Sequence, residues 1–220
     1  MVRLGRRAGR RVGAVLTDMN QPLGNAVGNA VEVVEAAQVL SGGGPEDTRE
    51  VSLTVAAWMV VAAGLAGCFE EGMARAVDAL DSGAAMATLR SMVEAQGGDP
   101  EALQKPLLGH RAAARGEWKA SRSGIVTRLD ARAVGYAALA AGAGRRRKGD
   151  EVDPAAGLRL LCKEGDRVER GETLAEVWAS SQAHLRQALA ELERGTIVIS
   201  DDAPEPRELV FGVIPPDGAS

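Results

Sequence analysis

The chain is poor in cysteine, histidine and aromatic residues. It has two cysteines, Cys68 and Cys162, which excludes a disulfide framework and a four-cysteine zinc site and suits a reducing cytoplasm. The two histidines, His110 and His184, lack the Cys, His or carboxylate spacing of a metal centre. His110 reads as a linker residue and His184 as a helix-surface residue. Aromatic side chains make up 3% of the chain, so the core must be built from Ala, Val and Leu. None is interleaved with basic residues in the way that stacks nucleic-acid bases. An excess of positive charge is also missing. Lys and Arg number 26 against 30 Asp and Glu, a net charge of −4, which argues against a nucleic-acid scaffold.

Targeting and membrane signals are equally thin. The start, MVRLGRRAGRRVGAVL, carries Arg3, Arg6, Arg7, Arg10 and Arg11, but only VGAVL follows before Thr17 and Asp18. A secretory apolar region needs about 7–15 residues, so the segment reads as a helix end, a basic turn and a strand, Val12–Thr17. The uncharged stretch Val51–Phe69 is mostly Ala, Val and Gly, and acids flank it on both sides. With no Lys or Arg cluster to orient a span, it reads as a helix buried on all sides. The expected location is the cytoplasm, with no membrane contact.

What is present fits a folded protein. The chain has 220 residues, of which 45% are hydrophobic and 25% charged. One or two domains are expected, with about 70% of the unfolded surface buried. The first part reads as helical: Ala26–Leu40, a buried helix opened by Pro45, then Glu70–Asp81 and Ala84–Gln96. Gly42–Gly44, Gly83 and Gly97–Gly98 punctuate them. Leu107–Gly116 reads as a linker. Short strands follow at Glu117–Ala120, Ile125–Leu129, Leu158–Cys162, Thr173–Val177, Thr196–Ile199 and Leu209–Val213. Helices Ala131–Ala141 and Ser181–Glu193 interrupt them. A boundary near residue 110 therefore separates a helical segment from an α+β module. Residues 201–206 and 215–220 read as loose.

The loop and helix Asp18–Glu35, DMNQPLGNAVGNAVEVVE, carry the most chemistry. On a helix begun at Ala26, Glu35 lies at the edge of the apolar face marked by Val27, Val31 and Val34. A carboxylate there needs a partner. A Gly-, Pro- and Asn-rich turn exposes backbone carbonyls, and carbonyls plus one carboxylate make a hard-cation site. An N-cap network or a salt bridge would satisfy Glu35 equally.

Other motifs are weaker. No G-x-S-x-G, P-loop or G-x-G-x-x-G stands between a strand and a helix. Gly142–Lys148, with Arg145, Arg146 and Arg147, is a basic turn that could hold a phosphate and reads as a solvated loop. Glu164–Leu174, EGDRVERGETL, resembles the hairpins of flattened biotinyl and lipoyl carrier domains. A carrier needs an acceptor lysine at the hairpin tip, and no lysine follows Lys163.

Thr17–Ala36 (TDMNQPLGNAVGNAVEVVEA), followed by GGGPEDTREV (Gly42–Val51), AAGAGRRRKGDEVD (Ala140–Asp153) and EGDRVERGETLAEV (Glu164–Val177), resembles the thymidine and pyrimidine-nucleoside phosphorylases. The resemblance implies a fold that is α/β plus α+β. Residues 1–109 would form the carboxy-terminal part of the α/β phosphorylase domain, 110–214 the family's carboxy-terminal α+β domain, and 215–220 a tail. It implies phosphorolysis of pyrimidine (deoxy)nucleosides to base and (deoxy)ribose 1-phosphate, in nucleoside salvage. Members carry a Gly-rich phosphate loop and base-gripping Arg, Ser and Lys residues that have no counterpart here. The chain is thus expected to correspond to a carboxy-terminal half, truncated or split, inactive alone and with no catalytic or substrate-binding residue of its own. Phosphate and nucleoside would bind only with the other half, and the intact enzyme would be a homodimer. One family site survives in part: a potassium ion held by the backbone carbonyls of Leu23 and Ala26 and the carboxylate of Glu35. No organic cofactor is implied. The alternatives are a non-catalytic scaffold or regulatory remnant, or a carrier-like binding module.

Overall fold

The computed structural model describes residues 1–104, 112–145 and 147–216. The expectations for His110, for Arg146, for most of the linker and for the last four residues lie outside these. The described chain is a mixed α/β protein with small sheets. It divides into two compact units that interleave along the sequence. One comprises residues 1–18, 37–100 and 207–220; the other comprises 19–36 and 101–206. The units thus follow a different partition from a single cut near residue 110.

In the first unit, α1 (Val2–Arg7) leads into β1 (Ala14–Thr17). β1 pairs antiparallel with β9 (Val210–Ile214), Ala14 opposite Ile214, as a two-stranded sheet. The pairing continues through the Asp18 amide, which donates to the Leu209 carbonyl at 2.9 Å. The Arg6 guanidinium donates to the Pro215 carbonyl at 3.0 Å, and Pro216 is buried. The segment expected to be loose is therefore tied down at its start.

The longer helices of this unit are α3 (Glu46–Ala62), α4 (Phe69–Asp81) and α5 (Ala84–Ala95). Glu46 and Asp47 in the first turn of α3 oppose the positive helix end. Leu53, Ala57 and Val61 form the buried stripe of α3, and Gly72, Ala76 and Leu80 that of α4. The helices meet at small residues. A Cβ on Gly72 would stand 2.5 Å from the Ala57 carbonyl oxygen, so only glycine permits this crossing. The expectation of a helix buried all round is corrected here. Val55 and Met59, on the opposite face of α3, are exposed, Met59 at 65%. No helix among the described residues is long and apolar enough to cross a membrane.

The second unit holds two antiparallel sheets. The first has the order β2 (Ala26–Gly28), β5 (Gly157–Leu160), β7 (Thr173–Ala179), β3 (Ala114–Lys119). The second has the order β6 (Arg167–Val168), β4 (Gly124–Leu129), β8 (Ile197–Ser200). Helices α6 (Ala131–Ala138) and α7 (Gln182–Leu192) complete it. Its core joins Val126, Leu129, Leu158, Leu160, Leu174 and Val177 from the strands. Val134, Ala137, Leu185, Ala188 and Leu192 cover them from the helices. Asp130 caps α6 by accepting the Ala133 amide at 2.8 Å. α6 ends in a π turn, Leu139–Ala143, where Gly142 takes φ 110°.

The expected helix over Ala26–Leu40 is also corrected. The helix here, α2, is Ala30–Leu40, and Ala26–Gly28 is strand β2, with Ala26 opposite Arg159 and Gly28 opposite Gly157. Val27 therefore marks no helical face. The reason is a close backbone approach. A Cβ on Gly28 would lie 2.9 Å from the Ala156 carbonyl oxygen, and one on Gly157 2.8 Å from that of Val27. Two facing glycines let β2 and β5 pair closely, and a partner so distant in sequence leaves no trace in local periodicity.

Candidate functional site: the loop between β1 and α2

Residues 19–30 follow β1 as a turn-rich loop, then β2, then the start of α2. Gly24 takes φ 66°, the left-handed conformation that turns the chain back toward β2. The loop is fastened along its length. Ala131 donates its amide to the Asn20 carbonyl at 2.8 Å, and Leu160 donates to the Asn25 carbonyl at 2.8 Å. The Gln21 side-chain Oε1 accepts the Glu164 amide at 2.8 Å. Lys163 Nζ donates to the Pro22 carbonyl. Glu164 in turn accepts the Leu129 amide at 2.9 Å, so the hairpin, the loop and the start of α6 form one network.

Glu35 sits one turn and a half into α2 and is half-buried. Its Oε2 accepts the amides of Asn25 and Ala26, both at 2.9 Å. Two backbone donors on one carboxylate oxygen are charge-assisted hydrogen bonds, and they hold the loop against the helix. Glu32 does the same one turn earlier, accepting the Gly28 amide at 2.7 Å. Asn29 Nδ2 reaches the Ala143 carbonyl at 2.6 Å.

The structure thus brings Glu35 to the loop that contains Leu23 and Ala26. Leu23 lies at the exposed tip, and Ala26 is buried. Among the described residues, no three His, Cys, Asp or Glu side chains cluster as a metal site. Any cation here would rest mainly on carbonyl oxygens. Donors of that class suit a hard cation.

Gln21 and Lys163 were not legible as loop fasteners. The reach of Lys163 to Pro22 spans 141 positions. His184 has a structural role. Ser181 Oγ caps α7 by accepting the His184 amide at 3.2 Å and meets the imidazole Nδ1 at 3.1 Å. Beside the fastened hairpin, burial and the carboxylates of Asp166 and Glu172 push the Cys162 thiol up to about 12, with Lys163 opposing them. That thiol is protonated at neutral pH and unsuited to nucleophilic work. On the edge strand β3, hydrogen bonding and charge from Lys119 hold the Glu117 carboxyl below its ordinary value. The basic turn contains an acid-bound amide: Arg147 donates its N–H to Asp150 Oδ2 at 2.8 Å.

Comparison with known proteins gives this geometry a family. A model of the glycosyl transferase family a/b domain matches residues 1–86. A model of the pyrimidine nucleoside phosphorylase C-terminal domain matches residues 125–200. Two pyrimidine-nucleoside phosphorylases of Staphylococcus aureus, from strains bovine RF122 / ET3-1 and USA300, are 43% and 42% identical to the chain over 182 residues. The chain belongs to the pyrimidine-nucleoside phosphorylase family. The aligned stretch is 83% of this chain and 42% of each relative. The match therefore spans less than half the length of these phosphorylases. The Asp18–Glu35 loop lies within the a/b-domain match, and the Lys163–Glu164 hairpin that fastens it lies within the C-terminal-domain match.

Proposed function

We propose that the chain is a scaffold portion of a cytoplasmic enzyme that phosphorolyses pyrimidine (deoxy)nucleosides. In this reaction a phosphate oxygen forms a bond to C1′ as the N-glycosidic bond breaks. The base leaves with the bonding electron pair and takes up a proton, and the products are free base and (deoxy)ribose 1-phosphate. The observation that carries the reading is the identity to pyrimidine-nucleoside phosphorylases of 43% over 182 residues, with both family domains matched in order. Catalysis of this kind rests on positioning and on cationic donors to the leaving base. The 220 residues contribute positioning.

In this reading Leu23 and Ala26 offer backbone carbonyls, and Glu35 its carboxylate, to a potassium ion. When bound, the ion supplies positive charge that orders the phosphate-binding side of the cleft. The chain's own part is to hold the loop. Glu35 fixes the Asn25 and Ala26 amides, and Gln21 and Lys163 anchor the loop's other end. The second module keeps the shape of a carrier-type hairpin as scaffold alone, since no lysine follows Lys163. The complete enzyme is a homodimer in this reading.

The test is a phosphorolysis assay. The purified 220-residue chain, given phosphate with thymidine or uridine, releases no base. Joined to the remainder of a Staphylococcus aureus relative, it restores release. Turnover by the chain alone, or a folded joined chain without turnover, overturns the proposal.

A further inference from the structure

The turn Lys163–Asp166 delivers a positive charge to the loop. Lys163, half-buried, donates from Nζ to the Pro22 carbonyl. The turn that carries it is itself fixed. Asp166 Oδ2 accepts the Lys163 amide at 2.8 Å. The Gly165 amide donates to the Val126 carbonyl at 2.8 Å, and the Val126 amide donates to the Asp166 carbonyl at 2.9 Å. The ammonium therefore stands on a turn braced against β4. A charge-assisted bond from such a base is strong and well directed.

Its place in the loop is specific. The Asn25 carbonyl accepts the Leu160 amide, and the Asn25 amide goes to Glu35. Between the anchors at Pro22 and Asn25 only Leu23 and Gly24 remain. The Leu23 carbonyl accepts no hydrogen bond among the described residues. The bond between Leu160 and Asn25 also sets the alternation along β2. Ala26 takes the next, non-hydrogen-bonded position opposite Arg159, so its amide and carbonyl point away from β5. That amide goes to Glu35, and β2 is an edge strand with no strand on that side among the described residues. The Leu23 and Ala26 carbonyls are thus left without protein donors, whereas the protein's own ammonium takes the carbonyl of Pro22.

Lys163 acts on a bound cation in two opposite ways. A positive charge one residue from Leu23 repels the ion. An anchor that fixes the turn spares the ion the cost of ordering it. Lys163 is half-buried, so water screens the repulsion, and the anchoring prevails.

We propose that Lys163 is a positioning residue for the potassium ion of the reading above: it holds Pro22 so that the Leu23 carbonyl stays where the ion needs it. The inference rests on that reading, of which the ion is a part. A residue of the C-terminal-domain match thereby sets the ion affinity of a loop in the a/b-domain match.

The experiment titrates potassium chloride against choline chloride at constant ionic strength, in the 220-residue chain and in the joined polypeptide of the assay above. Hydrogen exchange is read at the Gly24, Asn25 and Ala26 amides, with the α7 amides as the reference for global unfolding. Potassium slows the loop amides in the parent. In Lys163→Met the potassium concentration at half-effect rises about tenfold, the worth of one charge-assisted hydrogen bond. In Lys163→Arg, which keeps the charge and the donors, it stays within about threefold of the parent. If Lys163→Met loses the α7 protection, Lys163→Gln is read in its place and gives the same rise. A half-effect concentration that is unchanged or lower in the neutral variants overturns the inference, because the ammonium is then a bystander or only a repelling charge. So does a parent that fails to respond to potassium in both formats. Phosphorolysis is scored separately in the joined polypeptide. Turnover without a potassium response leaves the catalytic reading and removes the role of Lys163. The Lys163 effect without turnover overturns the catalytic reading and leaves that role.

Discussion

Replacing Glu35 tests the central geometric claim, that one carboxylate holds the β1–α2 loop to its helix. Oε2 accepts two backbone amides at 2.9 Å. Hydrogen bonds to a charged group contribute about 1.5–3 kcal/mol each. Glu35 is half-buried, so water replaces part of what is lost, and the low end applies. Glu35→Ala therefore weakens the local structure by about 3 kcal/mol. Each 1.4 kcal/mol is a factor of ten, so the Asn25 and Ala26 amides should exchange roughly a hundredfold faster. Glu35→Gln keeps an acceptor without the charge. Neutral bonds are about half as strong, and the loss falls to about 1.5 kcal/mol, roughly tenfold in exchange. The assay is residue-resolved hydrogen exchange in native buffer, with the α7 amides as an internal reference for global unfolding. Exchange at Asn25 and Ala26 within twofold of the parent in Glu35→Ala would refute the argument. It would mean that the amides are protected by the β2–β5 pairing alone.

Two further predictions concern the same unit. Gly157→Ala places a methyl 2.8 Å from the Val27 carbonyl oxygen and 2.9 Å from Val31 Cγ2. It should lower the urea midpoint by an amount equivalent to about 1–3 kcal/mol, and an unchanged midpoint would remove the close approach as the reason for strand β2. For Cys162 the thiol is raised from 9.0 to about 12. A raised folded-state value means its stability contribution is complete below about pH 9 and is lost as pH climbs toward 12. Urea midpoints should therefore fall more steeply above pH 9 in the parent than in Cys162→Ala, and parallel declines would contradict the assigned burial.

Much of the architecture was legible locally. Most expected strands appear within a few residues of their predicted limits, because they alternate or cluster β-branched residues between turn signals. Helices α4 and α5 were legible from the glycines that end them, and α7 from its leucine stripe. The position of Glu35 beside the loop has a different reason from the one the sequence supplied. A helical wheel begun at Val27 put Glu35 beside the apolar face, yet Val27 is in a strand. Glu35 reaches the loop because α2 starts at Ala30 and runs back past Asn25 and Ala26. The all-apolar reading of Val51–Phe69 failed because a run that is apolar on every side does not say which of its faces is covered. Only packing against α4 showed that Leu53, Ala57 and Val61 are the inner stripe.

By itself, the sequence determined the family, since TDMNQPLGNAVGNAVEVVE is long and specific, and it determined the placing of most helices and strands. Composition also excluded a disulfide framework, since two cysteines cannot build one. Tertiary structure alone decided that Ala26–Gly28 is a strand, that Gln21 and Lys163 fasten the loop, and that one face of α3 stays uncovered. All three depend on partners far along the chain, such as Arg159 for Ala26 and Pro22 for Lys163. Local periodicity records which residues can face a core. Which surface meets them is settled only when distant backbone donors and acceptors pair.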